Sequence, residues 1–413
     1  MRRRSVAFAA IALAGCASIG NRSEPAGLAD TGEPLRSLLR SRPKLVRALH
    51  QASAQRIQIV LGFVEPGADG KPTLSQVGYR SGAEYFYPAS AVKTFAAIAA
   101  LERLAELRAE TGLAIDRDTP MALYPLFEGE KLEQVDESHR AGGTITVGHE
   151  IRKLALVSDN EAFNRLYELL GQDGLARSLT RAGLAEPRIV HRLSESRTAE
   201  QNRRYPRIDF LGTSFQHSLP ERESPALQDP PPLPKLFVGK GYLSNEARID
   251  KPMDFNSKNR ISLGDLQRGL CKLVHPEADC GGSAFRLEES DRAFLLEAMT
   301  QVPRESKDPI VDPVAYPDEW GKYLLPGLLK EIPMARLRMV NKIGRAYGFS
   351  TENAWIEDRA TGRGLFLAAT IYTNEDGILN DDLYEYEQQA RPFFTELGRA
   401  IGRWLVAPQP KKR

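Results

Sequence analysis

The sequence predicts an α+β fold: one antiparallel sheet assembled from both ends of the chain, flanked by helices, with a central helical subdomain between. Three observations predict it. Runs rich in β-branched and aromatic residues lie near the start ("RIQIVLGFVE", 56–65) and near the end ("ARLRMVNKIG", "NAWIED", "GLFLAATIYT"). Between them, "HEIRKLALV", "NEAFNRLYELLG" and "DGLARSLTRAG" carry apolar residues at helical spacing. No internal repeat or heptad pattern points instead to a solenoid or a coiled coil. The 413 residues suffice for two ordinary domains or one large two-part domain. We place the α/β part at about 34–82 and 335–406, the helical part at about 83–334, and a basic tail at 407–413.

The elements follow in order. "LRSLLRSRPKLVRALHQA" (35–52) reads as a first helix that Pro43 breaks or kinks. After the strand at 56–65, "PGADGKP" is a turn and a second strand follows near 74–80. "YPASAVKTFAAIAAL" (87–101) opens an alanine-rich helix. Residues 200–256 are rich in Arg and Pro ("DPPPLPK") with weak periodicity, and read as a long, loop-rich insertion. Helices resume at "SLGDLQRGLCKLV", capped by Ser262, and at "EESDRAFLLEAMTQV". The closing "LYEYEQQARPFFTELGRAIGRWL" is an amphipathic helix whose ladder Pro392 is expected to interrupt.

Lys and Arg number 56 against 54 Asp and Glu. No basic stripe interleaves with aromatics, so nucleic acid is excluded as a partner class. The N-terminus "MRRRSVAFAAIALAGCASIG" joins Arg2, Arg3 and Arg4 to an apolar run too short to span a membrane, and reads as an export signal. The small residues before Cys16 resemble a bacterial lipobox. The reading is a signal over 1–16, lipidation at Cys16 and a flexible tether over 17–33. The alternative is an ordinary signal peptide with an incidental cysteine. Ala17 and Ser18 do not suggest inner-membrane retention, so the expected location is the periplasmic side of a bacterial envelope, at the outer membrane. Under oxidising conditions Cys271 and Cys280 either pair around "HPEAD" or stay as buried thiols. The six histidines are scattered and none pairs with a cysteine at ligand spacing, so no metal site and no cofactor is read.

Three short motifs carry chemistry. Ser90 stands three residues before Lys93 at the start of the alanine-rich helix. That spacing puts both side chains on one face. A serine hydroxyl needs a base to become a nucleophile, and a lysine serves if burial or positive neighbours lower its pKa. The helix N-terminus directs N–H groups toward developing negative charge. Alone, the pair is equally a helix cap and a solvated lysine, and about one Ser-x-x-Lys is expected by chance in such a chain. Ser158-Asp159-Asn160, at another helix start, is far rarer by chance. It reads as a plain cap, or as a proton relay (Ser158) with an amide for a substrate carbonyl (Asn160). Lys342-Ile343-Gly344 on a late strand is common by itself, and its weight lies in the order of the three.

In this order the motifs resemble those of class A-type serine β-lactamases, in the superfamily shared with penicillin-binding D,D-peptidases. The resemblance covers most of 34–406 and includes the approach "TITVGHEIRKLALVSDNEAFNRL". The gap from Ser90 to Ser158 is close to the family's; that from Ser158 to Lys342 is far longer, and the insertion near 200–256 and the stretch 303–333 account for the excess. The resemblance implies the β-lactamase/transpeptidase-like fold, with Ser90 as acylated nucleophile and Lys93 as its base. It makes Ser158 the shuttle, Asn160 a substrate contact, and Lys342 the positive charge beside Ser158 and the substrate carboxylate. The oxyanion hole would be the N–H groups of Ser90 and Arg345, just past Gly344. The implied partners are a small β-lactam or peptidoglycan-like substrate and a membrane reached through the lipid, with the protein a monomer.

Two departures stand out. Ile343 occupies the place of the family's Thr or Ser, whose hydroxyl helps hold the substrate carboxylate. Arg345 either takes over that carboxylate or is a solvated edge-strand arginine. In "HRLSESRTAEQNRRY", alignment from Arg192-Leu193 puts Arg197 where the family has its deacylating glutamate, with Glu195 and Glu200 on either side. Three readings follow: a divergent β-lactamase, a penicillin-binding D,D-peptidase or esterase-like hydrolase that acylates but deacylates differently, and a non-catalytic envelope lipoprotein.

Overall fold

In the computed structural model, which describes residues 24–184, 187–228 and 231–408, the β-rich runs from both chain ends meet in one five-stranded antiparallel sheet. Its order is Leu337–Ala346, Phe349–Asp358, Arg363–Tyr372, Gln58–Pro66, Pro72–Tyr79. Side chains on successive strand residues point to opposite faces, and here each face meets its own core. Ile59, Leu61, Ile356 and Leu367 join the core under the terminal helices Leu35–Arg40, Pro43–Leu49 and Arg391–Val406. Val60, Trp355, Phe366 and Ala368 join a larger core shared with the helical region. Covering on both sides explains why the central strands are buried almost end to end.

The helix Lys93–Thr111 runs through the larger core. Its alanines, Ala96, Ala97, Ala99 and Ala100, are buried and let the helix Asn160–Arg181 approach closely. It stops at Gly112, whose φ of 71° sets a left-handed cap with its N–H on Arg108 O. The helix Asn160–Arg181 kinks at Gly171 (φ 70°, ψ 163°), so "NEAFNRLYELLG" and "DGLARSLTRAG" are its two arms. Ser262 caps Leu263–Val274 by accepting from Asp265 N–H. Cys271 and Cys280 form a disulfide at that helix's end.

Several expectations need correction. Residues 24–33 of the expected tether are folded: Leu28 is fully buried, Tyr79 Oη donates to Ala26 O at 3.1 Å, and Thr31 Oγ1 donates to Gly27 O at 2.9 Å. One leucine aimed at the terminal core outweighs a polar, glycine-rich composition. Cys16 and the rest of the tether lie outside the described residues, as does the tail from 409. Pro392 falls where a π-turn over Tyr386–Ala390 gives way to the α-helix Arg391–Val406, so the ladder changes there as Pro392 leads one to expect, and the helical run continues past it. The insertion is not merely loop. Ile208–Leu211 joins the small sheet of Pro120–Leu123, and Gly241–Ser244 pairs in parallel with Ile378–Leu379. The histidines are not all scattered either, since the rings of His139 and His149 stack at 4.4 Å.

Leu28→Ala is expected to lower the unfolding free energy by about 2–4 kcal/mol in urea denaturation. A residue on a loose tether would change it by less than about 0.5 kcal/mol.

Candidate active site

Ser90 does not sit in the helix proper. It lies on the 3₁₀ turn Ala89–Val92, and Lys93 is the first residue of the α-helix that follows. The turn packs against the edge strand Leu337–Ala346 at Gly344. A Cβ there would stand 2.1 Å from Pro88 O and 2.9 Å from Ala91 N, so only glycine admits the contact. This puts the Arg345 amide beside the turn that carries Ser90.

Ser90 lines a cleft of about 850 Å³, with Tyr87, Asn160, Glu195, Arg345 and Tyr347 also on its walls. Among the described residues its hydroxyl makes no hydrogen bond within the protein. Lys93 is fully buried. Its Nζ donates to Ser158 O (2.5 Å), Asn160 Oδ1 (2.7 Å) and Asp159 O (2.9 Å), and lies 3.5 Å from Ser158 Oγ. Three acceptors suit an ammonium. Burial, reinforced by the charge of Lys342, holds its pKa well below the usual lysine value, so the proton is cheaply given up.

Lys342 approaches from the other side, and its Nζ donates to Ser158 Oγ at 2.8 Å and to Ile343 O at 3.1 Å. Burial, with Lys322 adding to it, pushes Lys342 down to about 7. Ser158 is held at φ 60°, a left-handed conformation that aims Oγ between the two ammonium groups. Asp159 caps the next helix by accepting from Ala162 N–H. Asn160 bridges outward, its Nδ2 donating to Ser194 Oγ at 2.7 Å. Ser90, Lys93, Ser158, Asn160, Lys342, Gly344 and Arg345 are therefore gathered at one place.

The loop after residue 190 forms the facing wall. Arg192, almost wholly buried, anchors it by donating to Glu168 Oε1 (2.8 Å) and Arg204 O (2.9 Å). The two carboxylates proposed from sequence part company. Glu195 is in the cleft wall, accepting from Asn164 Nδ2 (3.3 Å) and Arg197 Nε (3.0 Å). Glu200 is exposed at the start of a short 3₁₀ turn and does not line the cleft. Arg197 pairs with Glu130 as well as Glu195 and stacks on Phe127, behind Glu195 and not itself a cleft-lining residue. Ile343 faces the terminal-helix core and is not a cleft residue. Arg345 is, with its guanidinium over Trp320 (5.4 Å) and Tyr386 (5.2 Å).

Sequence reasoning missed the aromatic floor. Tyr87 stacks on His191 and meets Tyr347 edge-on at 5.2 Å. The backbone marks the place: Ala89, Ser194 and Tyr347, all non-glycine, have φ of 46–57° and all line this cleft. Strain of that kind is invisible in composition.

Residues 51–212 match the Beta-lactamase enzyme family. That segment holds Ser90-x-x-Lys93, Ser158-Asp159-Asn160 and the Arg192 loop, but not Lys342. No curated protein matches the sequence. Among solved structures, the chain is similar to a beta-lactamase from Desulfarculus baarsii (17% identity, 88% of this chain and 97% of that one, TM-score 0.48). It is similar also to one from Xanthomonas campestris (18%, 90% and 98%, TM-score 0.46) and to a class A beta-lactamase from Mycobacterium abscessus (16%, 87% and 98%, TM-score 0.45).

Gly344→Ala is expected to destabilise the fold by about 1–3 kcal/mol, because backbone must move to admit the methyl. Gly264→Ala is the control: its nearest neighbour is 3.8 Å away inside a helix, and it should be neutral or stabilising. Denaturant midpoints of the two variants measure the difference.

Proposed function

We propose that the protein is a serine hydrolase of the β-lactamase type that opens a β-lactam amide through an acyl-Ser90 intermediate. One observation carries it: Ser158 Oγ lies between Lys342 Nζ (2.8 Å) and Lys93 Nζ (3.5 Å) while the Ser90 hydroxyl opens on the cleft. In this reading neutral Lys93 takes the Ser90 proton as Ser90 Oγ bonds to the substrate carbonyl carbon. The C–N bond then breaks, and the leaving nitrogen receives a proton through Ser158. Charged Lys342 polarises Ser158 and, with Arg345, receives the substrate carboxylate. The amides of Ser90 and Arg345 stabilise the oxyanion. Water then hydrolyses the ester, with Glu195 as its base.

We place the protein in the bacterial envelope, exported by its N-terminal segment and held through a lipid at Cys16 on the periplasmic side of the outer membrane. Arg2, Arg3, Arg4 and the small residues before Cys16 support this.

A second reading has its own support. Both oxygens of Glu195 are already engaged, by Asn164 and Arg197, which favours slow deacylation and hence a penicillin-binding D,D-peptidase or esterase-like role. The test is nitrocefin hydrolysis by the protein beside Ser90→Ala, with intact-protein mass spectrometry. Turnover that Ser90→Ala abolishes is the expected result. A stable adduct on Ser90 without turnover moves the function to the second reading. Neither adduct nor turnover overturns both β-lactam readings and leaves an esterase or a non-catalytic binding lipoprotein.

The acylation rate should be bell-shaped in pH. It rises as Lys93 loses its proton, and falls above about 7 as Lys342 loses the charge that binds the carboxylate. Lys342→Arg, charged throughout, should keep the rising limb and lose the falling one. Stopped-flow acylation between pH 5 and 9 reads both limbs.

A further inference from the structure

A second cluster lies at the other end of the helix that leads to Ser158. His149 sits on the first turn of Val147–Leu156, His139 on the preceding loop, and Asp308 on the long stretch before the closing strands. His139 Nε2 is 3.5 Å from Asp308 Oδ2, and His149 Nδ1 is 3.6 Å from Asp308 Oδ1. One ligand atom from each residue lies within 4.8 Å of the others.

The hydrogen bonds around the cluster fix where the protons are. His139 Nδ1 lies 2.7 Å from Thr144 O, and a carbonyl only accepts. Nδ1 therefore carries a hydrogen, and in the neutral ring Nε2 presents a lone pair toward Asp308. Ser138 Oγ gives its one proton to Asp136 Oδ1 at 2.6 Å, so it accepts from His149 Nε2–H at 2.9 Å. His149 Nδ1 then also presents a lone pair toward Asp308. It is buried and has no hydrogen-bond partner among the described residues, in a residue with no exposed surface. With both rings neutral, two lone pairs thus face a carboxylate, a repulsion that a cation between them relieves.

Asp308 keeps capacity for a ligand. Oδ1 accepts from Arg140 N–H at 3.0 Å and Oδ2 from Arg152 Nη2 at 3.3 Å, one contact for each oxygen's two lone pairs. Arg152 also neutralises the carboxylate, so the cation must be bound chiefly by coordination. A tetrahedral zinc ion with bonds of about 2.0–2.1 Å needs ligand atoms about 3.3 Å apart; the two imidazole nitrogens lie 3.5 and 3.6 Å from different oxygens of Asp308 and the rings stack at 4.4 Å, so one ring must turn for both in-plane lone pairs to meet a single ion. The Thr144 carbonyl and Ser138 hydroxyl stand where an outer shell holds metal-bound imidazoles.

We propose that His139 Nε2, His149 Nδ1 and Asp308 bind a zinc ion that clips the 136–144 loop and the 308 segment to the helix carrying Ser158. The fourth position is left for water. Two imidazoles and a carboxylate select zinc over magnesium or calcium, which prefer oxygen. The alternative group of Asp136, His149 and Glu150 is less suited, because Lys153 and Arg165 already engage Asp136 and Arg165 engages Glu150.

The test uses the full-length chain, purified without a histidine tag and stripped with EDTA. Titration with zinc chloride, followed by calorimetry and by metal analysis after gel filtration, should give one equivalent. Cobalt in its place should give the visible absorption of a four- or five-coordinate site. Ser138→Ala, which leaves all three ligands intact, should weaken zinc binding about 10–100-fold. Asp308→Asn should weaken it at least as much and abolish the zinc-dependent rise in melting temperature. Absence of stoichiometric binding by the unaltered chain overturns the proposal, whatever the variants do. So does binding that Asp308→Asn and Ser138→Ala both leave unchanged, which would put the ion elsewhere.

Discussion

The structure turns on one backbone contact, between Gly344 on the edge strand and the turn Pro88–Ala91. An edge strand normally shows a free row of backbone groups to solvent. Here that edge is covered by the turn that carries Ser90, and no side chain separates them. The contact sets the distance between the two halves of the site. Ser90 and Lys93 come from the helix side; Lys342 and Arg345 come from the sheet. The strand is held from behind as well. Asn341, one residue from Lys342 and on the opposite face, donates to Glu352 and Gly321 and accepts from Lys322, and the three side chains are buried. Burial pushes Lys322 down and Glu352 up in pKa. A network of this kind is costly to disrupt, since a lost partner leaves a buried charge alone, and that cost resists sliding of the strand.

The same geometry explains how two lysines share one serine. Each is desolvated, and each lowers the other's hold on its proton or is lowered by a further lysine. The protein offsets the repulsion with carbonyl and amide oxygens around Lys93 and with the Ser158 hydroxyl between the two. Ser158 reaches that position only in a left-handed backbone conformation. Electrostatic tuning and backbone strain are thus one arrangement seen from two sides.

The parts of this arrangement with a local signature were legible in the sequence. Ser90-x-x-Lys93 and Ser158-Asp159-Asn160 depend on spacing within a turn, and Lys342-x-Gly344 on a single strand. Strand alternation and helical spacing likewise announced the sheet's two ends and the helices between them. What could not be read depends on residues far apart. His139 and Asp308 meet only because two irregular segments fold against the start of one helix. Glu195 and Glu200 look equivalent along the chain, yet the fold turns one into the cleft and leaves the other on a solvent-facing turn. Leu28 hides among polar and small residues, and its burial follows from the terminal core it happens to reach. The insertion's short strands are each too brief to show a period, and gain their partners from elsewhere in the fold.

A sheet made from both termini also dictates an order of events during synthesis. Gln58 pairs with Thr370, so the first strand to leave the ribosome waits for one of the last. Until then neither layer of the molecule has its dividing wall, and the edge that seats the Ser90 turn does not exist. Non-local pairing of this kind is slow and cannot proceed vectorially. A nascent or truncated chain that stops before residue 337 would hold Ser90, Lys93 and Ser158 together with most of the helices, yet have nowhere to dock them. The chain therefore gains its cleft late and all at once, rather than by increments.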